Sequence, residues 1–221
     1  MKGVFAMPDI NLNIIINVVL IAATIIAIIV VLTKSRLHTR KKEQLHKQFI
    51  DQEAEANAVR KKEIDPELYF VPDLSELPAV PEGDPNRVER SSKRPMIYFR
   101  TPKTNLELKR EYGPAQMDIL AQHEENFNEY LKCLTSWATE LSATGEPQDT
   151  SDALLILGYA IAHGAEFRNT YKITADIYAK AGEKSTLEAL YDMAKNNHFR
   201  DPAIRQHILE HIQRHIANLG A

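Results

Sequence analysis

Residues 166–202 read "EFRNTYKITADIYAKAGEKSTLEALYDMAKNNHFRDP". Phe167, Tyr171, Ala175 and Tyr178 return at the spacing of one helical face, and the run stops at Gly182, a residue suited to a helix end. Ser185 and Glu188 then stand at capping-box spacing and announce a second helix. Asp201-Pro202 supplies an N-cap and first-turn proline for a third, which Gly220 closes. Three helices joined by links of a few residues must lie side by side.

The same pattern extends towards the N-terminus. "SDALLILGYAIAHG" (151–164) is apolar on nearly every side and predicts a short helix buried between neighbours. Before it, Pro114 opens a long helix to about Ala143, marked on one face by Leu120, Phe127, Leu131, Leu134, Ala138 and Leu141. "GEPQDT" (145–150) ends that helix. The fold class is therefore all-α, with about five antiparallel helices stacked over 114–221.

Within this stack, residues 168–201 resemble one tetratricopeptide repeat. Ala175, Tyr178 and Gly182 fall where that family has its small residue, its aromatic and its turn. Tyr191 and Ala194 match the aromatic and small residue of the second helix. One repeat earlier, Trp137, Ala153 and Ala160 match while the glycines do not, so the likeness covers 134–201. Thr174 replaces the usual Leu, Leu187 the usual Ala, and the closing proline is displaced to Pro202. The resemblance implies a hairpin array that binds proteins or peptides.

Eight of the eleven prolines fall between Pro66 and Pro114, so residues 65–113 are expected to be an extended connector. Its patches at Leu68–Val71, Leu74, Leu77 and Met96–Phe99 are too apolar for a solvated linker. Packing back on the helical body is the economical expectation, and docking onto a partner the alternative. "EGDPNRVERSSKR" (82–94) is expected to be mobile.

The first third of the chain is different in kind. Residues 10–33 carry no charge, and Ile14–Leu32 is almost wholly aliphatic. As a helix those nineteen residues span ~29 Å, which matches a hydrocarbon core of ~30 Å. The run ends at "TKSRLHTRKK", a stop-transfer flank rather than a cleavage site. Basic residues Lys34, Arg36, Arg40, Lys41 and Lys42 follow it, which places 1–9 outside and the rest in the cytoplasm. These five are also the candidate contacts for lipid headgroups. Residues 34–64 predict a basic juxtamembrane helix with a thin apolar stripe. A bacterial inner membrane suits so simple an anchor.

Charge is distributed unevenly. Residues 34–62 hold nine Lys/Arg against four Asp/Glu, whereas 114–221 hold nine against fifteen. An acidic body without a base-reading motif argues against nucleic acid. The single cysteine, Cys133, excludes an internal disulfide and sits among apolar neighbours as a packing residue.

One motif carries chemistry. His207-Ile208-Leu209-Glu210-His211 spells H-x-x-E-H, a zinc signature, and His215 follows one turn later. His207, Glu210 and His211 are thus candidate metal residues, centred on a membrane-tethered hydrolase. Only ten residues follow His211, so a third ligand would have to come from elsewhere, such as His163, His198 or Asp201. The competing pattern is Ile204, Ile208, Ile212 and Ile216, an unbroken stripe that must face the core and leaves the histidines at its edge. The stripe is the stronger reading, and no catalytic residue, cofactor or small-molecule substrate is expected. The expected function is a scaffold, adaptor or accessory subunit of a membrane-associated complex. Tyr159, Tyr171, Tyr178, His207, His211 and His215 are its candidate partner contacts. A purely architectural subunit, packing through its membrane helix, is the remaining alternative.

Overall fold

The computed structural model describes Lys34 and residues 41–220. The predicted anchor at 10–33, with Arg36 and Arg40, lies outside the described residues. No helix among those described is long and apolar enough to cross a membrane. The chain divides into two compact units, Met1–Glu55 and Ala56–Ala221. In the first, the described residues 41–55 belong to helix α1, with Lys41, Lys42, Leu45, Phe49 and Ile50 all exposed.

The second unit is all-helical apart from one isolated antiparallel bridge. A five-residue helix, α2 (Val88–Ser92), and α3 (Asn105–Tyr112) precede α4 (Met117–Thr144), α5 (Pro147–Ala162), α6 (Arg168–Lys180), α7 (Lys184–Asn196) and α8 (Pro202–Asn218). At 28 residues, α4 is ~42 Å long and every other part of the core leans on it or on its neighbours. Only Gly145 and Glu146 separate it from α5, so the two helices must fold back on each other. α8 packs against both α6 and α7.

The proline-rich segment is neither uniformly extended nor a spacer. Asp65 and Asp73 cap tight 3-10 turns at Pro66–Leu68 and Leu74–Glu76, each accepting a backbone N–H two residues on at 2.9 Å. Between its two apolar patches the backbone pairs: Phe70 N–H donates to Met96 O at 2.9 Å, and Tyr98 N–H to Leu68 O at 3.1 Å. Ile97 N–H donates to His123 O and the Asn126 side chain to Pro95 O, which fastens this pair to α4. Proline forbids a ladder but leaves these few donors free to bond.

Three hydrophobic clusters result. Leu77, Val88 and Met96 from the arm lie buried with Phe127, Tyr130 and Leu134 of α4 and Ile156 of α5. Ile97 and Phe99 join Leu108, Tyr112 and Leu120. Tyr171, Leu187, Leu190, Ile208 and Ile212 form the third, between α6, α7 and α8.

Several local expectations change. The stretch expected to be mobile contains α2, and Val88 within it is fully buried. α5 begins at Pro147 rather than at Ser151, and Leu155 is half exposed, so this helix is not covered on every side. Ser185 does not cap α7, whose N-cap is Glu183. The capping box forms instead at Thr104 and Glu107, where each side chain takes up the other's backbone N–H.

Two tests follow from this packing. A fragment starting at Gly113 strips Phe70, Leu77, Met96 and Ile97 from their clusters, and is expected to lose the cooperative thermal transition of the full chain, read by circular dichroism. Gly164 has φ +85°, and a Cβ there would stand 2.5 Å from the Tyr98 hydroxyl. Gly164→Ala should cost about 2–4 kcal/mol, from left-handed strain plus overpacking. At Gly145, φ +76° but in open space, the same change should cost only about 1–2 kcal/mol.

Candidate functional site

Two surfaces of the helical body gather functional groups: an open cleft and the joint between α6 and α8. The cleft, of about 420 Å3, lies where the arm residues following Tyr98 cross the α5–α6 and α7–α8 links beside α4. Its floor is aromatic. Tyr98 stacks on Phe127 with ring centroids 4.9 Å apart, and Phe199 tilts against Tyr171 at 5.6 Å. Arg200 holds one wall in place, with its guanidinium on the Glu124 carboxylate and its backbone N–H donating to Glu166 Oε2 at 2.8 Å. Arg100 and Lys132 stand exposed at the rim, and Lys132 reaches Glu125 at 3.2 Å. Five separate segments build this cleft, and no one of them carries a motif that announces it.

On the other surface, the isoleucine stripe of α8 lies inward. Ile208 and Ile212 are buried, and Ile204 and Ile216 pack at the edge of the same cluster. His211 and His215, one position before Ile212 and Ile216, emerge beside the stripe. Both turn Nε2 towards one carboxylate oxygen on α6, Asp176 Oδ1, at 2.7 and 2.9 Å. Their own Nε2 atoms are 3.2 Å apart. Lys172, one turn before Asp176, donates to its other oxygen at 2.7 Å. Burial raises the Asp176 pKa, but the hydrogen bonds from Lys172, His211 and His215 together outweigh it and hold the group at about 2. The sign is that of a depressed carboxylate. Its stabilisation is present above the ordinary value near 3.8 and is lost as pH falls through about 2.

His207 takes no part in this group. It is exposed, with Nδ1 3.9 Å from Glu210 Oε2, and Glu210 accepts from Gln206 at 2.8 Å. Among the described residues the structure brings His211 together with His215 and Asp176, while His207 and Glu210 make other contacts. The carboxylate that meets the two histidines comes from α6. Of the candidate partner contacts, Tyr159 and Tyr171 sit deep, Tyr171 in the lining of the cleft. They are 7 % and 1 % exposed, and burial raises both phenol pKa values. Tyr178 is half-buried against the third cluster. Lys34, Lys41 and Lys42 are exposed.

Asp176 joins α6 to α8, so its removal strands three donors. Asp176→Ala is expected to lower stability at pH 7 by about 1–2 kcal/mol, at the modest end because the site is partly open to water. Denaturant unfolding of the two chains side by side measures this. The chain matches no protein-family model, no curated protein and no solved structure.

Proposed function

We propose that this protein is a membrane-anchored scaffold or adaptor whose helical body binds protein partners on the cytoplasmic side of a bacterial inner membrane. Residues 10–33 are the anchor in this reading. The body acts as a tetratricopeptide-like hairpin stack, and the arm is part of the body rather than a tether. The observation that carries the reading is the open cleft beside Arg100 and Lys132. It combines an aromatic floor with charges of both signs at the rim, the mixture that suits an extended peptide or a protein loop. Arg200 is already bonded on two sides, so the wall is preformed and little ordering opposes binding.

The α1 surface supports the membrane half of the proposal. Leu45 and Phe49 lie one turn apart on an exposed face, with Lys41 and Lys42 just before them. Such a face suits the boundary of an anionic bilayer, where each basic residue contributes about 1 kcal/mol.

The test is a crosslinked pull-down of the full chain from membranes in mild detergent, set against an Arg100→Glu/Lys132→Glu double variant. A protein recovered with the wild type should fall at least tenfold with the variant, while both chains stay in the membrane fraction. Equal recovery by the two chains sinks the cleft as the docking surface. Release of the wild-type chain by alkaline carbonate sinks the anchor.

A further inference from the structure

We propose that Asp176, His211 and His215 form a binding site for a single divalent transition-metal ion, zinc foremost, that clamps α8 to α6. The inference is independent of the scaffold reading. It rests first on the shape of the donor triangle. Sides of 2.7, 2.9 and 3.2 Å put Asp176 Oδ1 and the two histidine Nε2 atoms on a circle of about 1.7 Å radius, shorter than a zinc–ligand bond of ~2.0–2.1 Å. An ion therefore stands ~1.1 Å off the plane of the donors with all three bonds at ordinary length. The bond angles so defined are about 80–105°, and opening the three sides to ~3.3 Å, by at most ~0.6 Å, makes them tetrahedral.

The second argument concerns protons. If both imidazoles donate to the ionised Asp176, two N–H groups confront each other across 3.2 Å with one oxygen to share. A cation at that point turns both nitrogens into lone-pair donors and removes the conflict. Two imidazoles and one carboxylate suit zinc, cobalt, nickel or copper rather than magnesium or calcium. Positions i and i+4 on α8 present the histidines from one helical face, and the Lys172 contact keeps Asp176 aimed with Oδ1 inward.

Because the donors come from both α6 and α8, an ion held by them crosslinks the two helices. Asp176 Oδ2 is taken by Lys172, the remaining coordination positions face water, and Glu210 lies away with Gln206. Among the described residues, no fourth His, Cys, Asp or Glu joins the three donors. Two cations oppose binding: the Lys172 ammonium already on Asp176, and an Arg214 guanidinium nitrogen 3.4 Å from His211 Nδ1, which must carry the proton once Nε2 holds a metal. Arg214 is exposed and has to swing aside, so its removal should favour the metal.

The experiment uses the tag-free full chain in mild detergent, stripped with EDTA, dialysed, and titrated with cobalt chloride and then zinc sulfate. One equivalent of cobalt should give visible d–d absorption that zinc abolishes, and zinc should raise the Tm. His211→Ala and His215→Ala should each weaken binding at least tenfold. His207→Ala and Glu210→Gln should leave it unchanged, and Arg214→Ala should leave it equal or tighter. Should a histidine variant fail to fold, diethyl pyrocarbonate labelling of the wild type decides: zinc must protect His211 and His215 while His207 stays reactive. Absence of saturable binding at micromolar metal overturns the proposal. Binding that survives loss of both His211 and His215, or that depends equally on His207, overturns it too.

Discussion

The short antiparallel pairing of Leu68–Phe70 with Met96–Tyr98 is the constraint on which the body depends. Two backbone bonds hold the strands together, and the Ile97 and Asn126 contacts seat them on α4. The side chains that alternate out of this pairing, Phe70, Met96, Ile97 and Tyr98, enter two of the three clusters. Tyr98 then lies so close to Gly164 that the α5–α6 link can pass only without a Cβ. A segment with too few N–H groups for a sheet thereby sets the position of the helices around it.

α4 is the other half of that arrangement. Its first turns meet α3, its middle receives the arm, and its last turns carry α2 and α5. A buried hydroxyl pair, Thr135 and Thr170 at 2.9 Å, ties α4 to α6, and Thr174 bonds back to the Thr170 carbonyl. Threonine at 174, where a repeat helix would carry leucine, belongs to this polar row and is almost fully covered. The cleft and the α6–α8 joint lie on the helices that this row and the third cluster position.

What could be read locally and what could not separate cleanly by the range of the interaction. Gly145, Gly164 and Gly182 mark helix ends because left-handed backbone favours glycine whatever the rest of the protein does. Asp201 caps α8 for an equally local reason. Ser185 and Glu188 offered the same local signal, and Glu183 holds the cap position instead. The working capping box, Thr104 with Glu107, was hidden only because it follows a proline-rich stretch that discourages a helical reading. The cleft could not be foreseen, since its five segments are linked by packing and not by spacing.

Sequence alone determined the all-helical class, because the period of its apolar residues and its helix stops act within a few residues. It also determined which face of α8 turns inward, since four isoleucines at every fourth position outweigh any polar neighbour. Tertiary structure alone decided what the histidines meet. Asp176 is 35 residues from His211 in the chain, and only the packing of α6 on α8 brings its carboxylate between the two rings. A five-residue motif reports neighbours along one helix. The partner across the joint is set by how two amphipathic faces close on a shared core.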